Sequence, residues 1–226
     1  MKIDLTCQPA YTLAYVRLEA SEAVICEKDA MVSMSSGINL EVSTGGGVMS
    51  AAFRKTFGQE SFFFSKYRAA AHGAWVAVAP AYPGDIAVVS LKGNDDLILQ
   101  TGAFLASSET IDTSVRVGGL GTILQKEGLT VLKAAGTGDL IICSYGGIQR
   151  FDLGQGEKFI VDTGHLVAWH AGMNLKIGPL ASAARSAISG EFLVAEIQGP
   201  GTVFVQTRSE RGFRSWLAPE RLQNKR

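Results

Sequence analysis

The feature that most constrains this chain is a stretch of sequence that occurs twice, at residues 85–106 and again at residues 147–168. Ile86 and Ile148 stand 62 positions apart, and the same separation holds along the stretch without a gap. A weaker third copy includes Val24-Ile25-Cys26. Each copy consists of an apolar strand, a turn with Gly or Asp and a second apolar strand. This pattern predicts stacked β-hairpins in related units.

Glycine-punctuated short strands favour an all-β fold. The chain has 226 residues and 26 glycines, which lie mostly at strand ends, as many tight turns require. Strands that recur about every 8–12 residues predict an antiparallel β-sandwich or barrel with one or two short helices. We expect a single β domain over residues 1–208, followed by a basic C-terminal segment at 209–226. The domain is built of three related repeats at about 13–45, 84–120 and 146–180.

Local patterns specify some of these elements. Residues 48–57 predict a short helix that Gly58 ends, and the segment from Glu210 predicts a helix limited by a later proline. Residues 192–197 and 203–207 predict a hairpin around Gly-Pro-Gly, with its second strand at the exposed edge of a sheet.

Charge and cysteine content bound the partners and the compartment. Lys plus Arg and Asp plus Glu both total 21, so no net charge attracts the chain to nucleic acid. Three scattered cysteines without CxxC spacing argue against a disulfide framework or a zinc ribbon and favour a reducing compartment. The N-terminus lacks a signal or transit pattern, and no apolar run reaches about 18 residues. We expect a soluble, cytoplasmic protein.

The C-terminal segment differs from the rest in charge. Residues 208–226 carry six basic and two acidic side chains, which leaves the remainder of the chain acidic. Two interpretations stay open: a solvated tail, or an electrostatic contact with a partner or with acidic lipid at a membrane surface.

No motif for catalysis, metal binding or cofactor binding is present. The HExxH, phosphate-loop and GxSxG patterns are absent. His165 and His170 are five positions apart on a predicted strand, so they project to opposite faces and do not share a metal. Glu60 stands among apolar residues; it could act as an acid or base, or it could accept backbone N–H bonds at a turn or pair with Arg54 or Lys55. We expect no enzyme, no cofactor and no metal.

Several residues are candidates for contact with a partner or a second copy. The three phenylalanines at 62–64 cannot all face one core, because side chains alternate along a strand. Gln206 and Arg208 alternate with apolar residues on the last predicted strand, where a plain solvent face is the alternative. The candidate contact residues are therefore Glu60, Phe62, Phe63, Gln206 and Arg208.

Motifs along most of the chain give it a family resemblance. Gly58-Gln59-Glu60-Ser61-Phe62-Phe63 fits a Gly-x-Glu-Ser-Phe-Phe motif, and Gly46-Gly47 precedes the basic pair Arg54-Lys55. With the run from Gly199 to Arg208, these segments resemble the altered inheritance of mitochondria twenty-four family. One departure is Phe192, which stands where the family tends to have glycine. The resemblance implies a double-stranded β-helix fold related to the tryptophan RNA-binding attenuation protein, and no established enzymatic activity.

These observations predict a non-enzymatic β-rich assembly, scaffold or binding module. We expect it to form a closed homo-oligomer, a trimer ahead of a dimer, and to contact a protein partner that the sequence does not identify. One alternative is a small-molecule-binding protein of the double-stranded β-helix type, with its ligand between repeats. Another is a ring-forming RNA-binding protein, which the zero net charge and the lack of interleaved basic and aromatic strand residues disfavour.

Overall fold

The computed structural model describes residues 1–43, 64–115, 130–179 and 193–217, which form antiparallel β-sheets and one α-helix. The all-β prediction is confirmed. The strands are β1 (Lys2–Thr6), β2 (Leu13–Leu18), β3 (Ala23–Glu27), β4 (Met31–Met34), β5 (Ile38–Ser43), β6 (Phe64–Ala69), β7 (Ala74–Val78), β8 (Ile86–Lys92), β9 (Leu97–Gln100), β10 (Phe104–Ser108), β11 (Ile111–Val115), β12 (Val131–Cys143), β13 (Ile148–Leu153), β14 (Lys158–Asp162), β15 (Leu166–His170), β16 (Asn174–Pro179), β17 (Leu193–Gln198) and β18 (Gly201–Gln206). The helix is α1 (Glu210–Leu217).

The strands form because apolar residues recur at the β period. In β2, Ala14, Val16 and Leu18 are buried, whereas the residues between them are not. In β10, by contrast, consecutive residues from Phe104 to Ser107 are buried. Alternation of this kind marks a strand with one solvated face, and a continuous buried run marks a strand covered on both faces.

Three successive sets of strands pair in the same pattern, and we call them units 1, 2 and 3. In unit 1, β2 and β4 flank β7, while β3 and β5 flank β6. In unit 3, β13 and β15 flank β18, while β14 and β16 flank β17. In unit 2 the long β12 takes both central places: β9 and β11 flank its first half, and β8 and β10 flank its second.

Neighbouring units join through one strand pair each. β10 of unit 2 pairs with β3 of unit 1, and β15 of unit 3 pairs with β9 of unit 2. β4 of unit 1 is equivalent to β10 and β15, and β14 of unit 3 is equivalent to β3 and β9. Among the described strands, neither β4 nor β14 has a partner on its outer side. The described strands therefore form two such joints and offer the two halves of a third.

The equivalent strands β4, β10 and β15 each contain a β-bulge. In each strand the pairing slips by one residue against the central strand, at the same distance from the strand start. A bulge is a specific backbone feature, so it aligns the three units residue by residue. The slips lie between Met31 and Ser33, Phe104 and Ala106, and Leu166 and Ala168.

The prediction of stacked hairpins is wrong in its pairing. β9 and β10 are joined by a 3-10 turn at Thr101–Ala103, yet they pair with opposite halves of β12. β17 and β18 also lie in different sheets, so the hairpin predicted around Gly199-Pro200-Gly201 is wrong as well. A Cβ on Gly199 would lie 2.3 Å from the Gly154 carbonyl oxygen. The chain therefore turns a crowded corner here and continues into the next sheet.

The final strand is not an exposed edge as predicted. β18 lies between β13 and β15 and is hydrogen-bonded on both sides. Val203 and Phe204 are buried accordingly. The apolar pattern that predicted an edge strand belongs to a central one, because central strands of a covered sheet are also apolar.

The predicted C-terminal helix is present as α1. The Ser209 hydroxyl accepts a hydrogen bond from the Gly212 amide at 3.2 Å, which caps the first turn. The Phe213 ring packs edge-to-face on Tyr145 with ring centroids 5.7 Å apart. The helix predicted at 48–57 lies outside the described residues.

Candidate functional site

A cavity of about 530 Å³ lies beside α1, and we call it the α1 pocket. Its lining combines residues from all three units with the first turns of the helix. A volume of this size falls within the range of small-molecule sites, about 300–1,000 Å³. The residues that matter below are Glu27, Tyr82, Gln100, Tyr145, Gln206 and Glu210.

Glu27, the last residue of β3, is a carboxyl group of the pocket whose pKa is clearly perturbed by its surroundings. Burial raises the pKa of this carboxyl from 4.5 to about 7, and the nearby Asp29 carboxylate acts in the same direction. The side chain therefore keeps its proton under mildly acidic conditions and can donate a hydrogen bond into the pocket. Burial also raises the pKa of the Cys143 thiol in the same wall, so that thiol is not a reactive nucleophile.

The amides of two glutamines hold the pocket wall together. Gln100 Nε2 donates to the Thr163 carbonyl oxygen at 2.8 Å. Gln206 Nε2 donates to the Gly164 carbonyl oxygen at 3.0 Å, and its Oε1 accepts from the Tyr145 amide at 2.9 Å. These hydrogen bonds hold both glutamine side chains in place against the turn at Thr163–His165, which gives this wall of the pocket a defined shape.

The helix closes one side of the pocket through paired charges. The Tyr82 hydroxyl donates to Glu210 at 2.8 Å, and the Arg214 guanidinium also binds this carboxylate. Arg211 lies 3.6 Å from Asp162. The Arg214–Glu210 pair lies within the helix, so the helix is held to the sheets by the Tyr82 and Asp162 contacts, each exposed and weak by itself, together with the Phe213 ring.

The histidines occupy separate places. His165 lies in the 3-10 turn Thr163–His165 and not in a strand as predicted, and its Nδ1 donates to the Gln206 carbonyl oxygen at 2.7 Å. His170 ends β15, where its Nδ1 accepts from the Gly172 amide at 3.3 Å. Within the described part of the chain, no three His, Cys, Asp or Glu residues cluster in a way that could hold a metal ion.

The predicted contact residues are scattered. Gln206 lines the α1 pocket, and Arg208 follows β18 with an exposed side chain. Glu60, Phe62 and Phe63 lie outside the described residues, so their role stays a prediction. The third phenylalanine of that run, Phe64, packs into the core edge-to-face with Phe104, at a centroid distance of 5.0 Å.

The second notable feature is the pair of open edges on β4 and β14. Met34 on β4 is 40% exposed, and Ile160 in the middle of β14 is 55% exposed. The other two apolar residues of β4, Met31 and Val32, are exposed as well. An edge with unpaired backbone groups and apolar side chains is a template for pairing with another strand.

Most of the other edge strands carry a charge within the strand. β4 has the sequence Met-Val-Ser-Met without a charge, and β14 is charged only at its ends, around the apolar Phe159-Ile160-Val161. Charges on an edge discourage pairing with a further strand. Five of the other edge strands of the described sheets carry a charge inside the strand: Asp4 (β1), Glu41 (β5), Asp112 (β11), Arg150 and Asp152 (β13) and Lys176 (β16); β8 carries Lys92 only at its end.

Comparison with known proteins places the chain in a family. The family model described as Mitochondrial biogenesis AIM24 matches residues 4–208. The chain belongs to the AIM24 family. The resemblance seen in the sequence is thereby confirmed.

Two bacterial relatives of this AIM24 chain come from Streptococcus pyogenes. An uncharacterised protein of serotype M6 is 25% identical over 225 residues, which cover 96% of this chain and 90% of the relative. The crystal structure of another protein of that species superposes with a TM-score of 0.78 at 24% identity, covering 96% of this chain and 98% of that one. The superposition shows a shared fold. No helix of the described residues is long and apolar enough to cross a membrane.

Proposed function

We propose that this AIM24 chain is a non-enzymatic assembly module that forms homo-oligomers through the open edges of β4 and β14. The single observation that carries this function is the pair of apolar edges among charged ones. Within the described part of the chain, no strand pairs with the outer backbone groups of either edge or covers its exposed apolar side chains. Self-association through these two edges would cover the backbone groups and the apolar side chains of both.

The energetics favour association. Full burial of an exposed Met or Ile side chain contributes about 1.5–3 kcal/mol. Met34 and Ile160 are 40% and 55% exposed, so each would contribute about half of this on burial between copies. A stable interface needs about 1,000 Å² of buried surface, which a strand pair with flanking side chains supplies in part. The balance of 21 basic and 21 acidic residues adds no net repulsion between copies.

Sedimentation equilibrium at micromolar concentration tests this function. We expect a discrete oligomer for the unmodified chain and dissociation for Met34→Asp, because the new carboxylate would be buried without a partner. A penalty of about 3 kcal/mol weakens each contact about 100-fold. Val88→Asp is the matched control, because Val88 is also apolar and 37% exposed but lies on β8, away from both open edges. A monomeric unmodified chain would refute the proposal.

A second candidate function is binding of a small molecule in the α1 pocket. It is supported by the volume of about 530 Å³ together with the partly buried Glu27 carboxyl. Mass spectrometry under native and denaturing conditions tests it. A bound mass that survives in the unmodified chain and is lost in Glu27→Leu supports this function, whereas a native mass equal to the chain alone argues against it.

A further inference from the structure

We infer that β4 of one copy pairs antiparallel with β14 of another, with Met34 opposite Ile160. The inference rests on the proposed self-assembly and specifies its partner, a second copy, and its register. Ser33 would stand opposite Val161, and Ser35 opposite Phe159. The argument comes from joints that the chain already makes within itself.

The same joint occurs twice inside one chain. In both cases a bulged strand of one unit pairs antiparallel with the second strand of the preceding unit. The joint between units 1 and 2 sets Ala106 opposite Cys26, Ser107 opposite Ile25 and Ser108 opposite Val24. The joint between units 2 and 3 sets Ala168 opposite Leu99, Trp169 opposite Ile98 and His170 opposite Leu97.

The bulge determines which residues would meet in a third joint. Met34 lies three positions after Met31, where the bulge of β4 begins. Ser107 and Trp169 likewise lie three positions after Phe104 and Leu166, where the bulges of β10 and β15 begin. On the receiving side, Ile160 stands 62 positions after Ile98, the separation of the sequence repeat. Because Trp169 lies opposite Ile98, the equivalent pair is Met34 with Ile160.

Exposure supports this assignment. At the two joints within the chain, Ser107 is 1% exposed, Trp169 is 2% exposed and Ile98 is 8% exposed, whereas Ile25 is partly buried. Their counterparts Met34 and Ile160 are 40% and 55% exposed where the neighbouring strand is lacking. Three of the four equivalent positions are buried at the joints, whereas Met34 and Ile160 stay exposed where no described strand lies beside them. A strand with the matching bulge and register covers them.

A second copy supplies that strand. Among the described strands, β4 ends the sheet β1-β2-β7-β4 and β14 ends the separate sheet β14-β17-β16, so the two edges do not meet within one chain. Each chain therefore offers one bulged edge strand, β4, and one receiving edge strand, β14. A contact of this head-to-tail type closes into a ring or extends as a filament.

Disulfide trapping tests the register. The Cα atoms of residues opposite one another in an antiparallel pair are about 4.5–5.5 Å apart, within the range of about 4.4–6.8 Å for disulfides. Two proteins are prepared, Met34→Cys and Ile160→Cys, both with the exposed Cys7 replaced by Ser. Cys26 and Cys143 are buried and stay unchanged. The proteins are oxidised separately and as an equimolar mixture, and the dimers are quantified on a non-reducing gel.

We expect the mixture to form disulfide dimers about 100-fold faster than either protein alone, because pairing raises the effective thiol concentration to about millimolar. The matched control is Lys158→Cys mixed with Met34→Cys. Lys158 is exposed but two residues out of register, so its Cα would lie about 7–8 Å from that of residue 34, too far for a disulfide. This control should cross-link no faster than the unmixed proteins.

Three outcomes would overturn the inference: equal cross-linking in the mixed and unmixed proteins, no cross-linking, or an exclusively intrachain disulfide in the double variant Met34→Cys/Ile160→Cys. Sedimentation of the same samples separates the two levels of the argument. An oligomer that does not cross-link between residues 34 and 160 rejects this register alone, whereas a monomer rejects the proposed function as well.

Discussion

Replacing Glu27 by glutamine should remove a pH dependence of the folding stability. Burial beside the α1 pocket raises the pKa of Glu27 from 4.5 to about 7. The folded chain therefore holds this proton more tightly than the unfolded chain does. By linkage, the contribution of Glu27 to the free energy of unfolding is fully present below pH 4.5 and falls as the pH rises towards 7. Glutamine keeps the shape of the side chain and cannot ionise.

The magnitude follows from the difference between the two pKa values. Each pKa unit corresponds to about 1.4 kcal/mol, so the full difference would correspond to about 3 kcal/mol. Glu27 is only half-buried, and solvent screening reduces this figure to about 1–2 kcal/mol. We therefore expect the unmodified chain to lose about 1–2 kcal/mol more than Glu27→Gln between pH 4.5 and pH 8.

Urea unfolding at a fixed protein concentration measures this difference at both pH values. Glu109→Gln is a control of opposite sign, because hydrogen bonds from Lys66 and Arg68 lower the pKa of Glu109. That variant should lose stability at neutral pH and keep the decline that Glu27 causes. Parallel pH profiles for the unmodified chain and Glu27→Gln would refute the reasoning.

Two further pairs of substitutions test the packing by urea unfolding. A Cβ at Gly84 would lie 1.7 Å from the Ser144 carbonyl oxygen, so Gly84→Ala should cost about 3 kcal/mol or prevent folding, whereas Gly102→Ala meets nothing within 4 Å and should change little. Trp169→Ala should cost about 3–5 kcal/mol because the ring is fully buried, and the exposed Trp216→Ala should stay within about 0.5 kcal/mol. Similar losses for both members of either pair would contradict this packing.

The sequence was sufficient to predict the strands but not how they pair. The apolar runs at 97–99 and 166–168 identify β9 and β15, and the segment from Glu210 identifies α1. The turn at Thr101–Ala103 carries the same Gly signal as a hairpin, yet it leads the chain into a different sheet. Turn residues specify where the chain bends, but they do not specify which strand the next strand pairs with. That pairing is determined by the packing of apolar side chains.

The candidate sites differ in how far the sequence could reveal them. The α1 pocket brings Glu27 together with Gln100 and Gln206 from distant parts of the chain, and no spacing rule connects them. The open edges did leave a signal. Met31–Met34 contains no charge, and Ile160 repeats Ile98 at the common separation. That signal becomes interpretable only when the two internal joints show which strand is expected beside each edge.

Hydrogen exchange of the unmodified chain over a dilution series tests self-assembly most directly. Mass spectrometry follows peptides that contain β4 and β14, with peptides of β9 and β10 as internal references. Pairing between copies protects backbone amides only while the oligomer persists, whereas pairing within a chain does not depend on concentration. We predict that β4 and β14 lose protection together on dilution while β9 and β10 keep theirs. Protection of β4 and β14 that is the same at every concentration would contradict assembly through these edges.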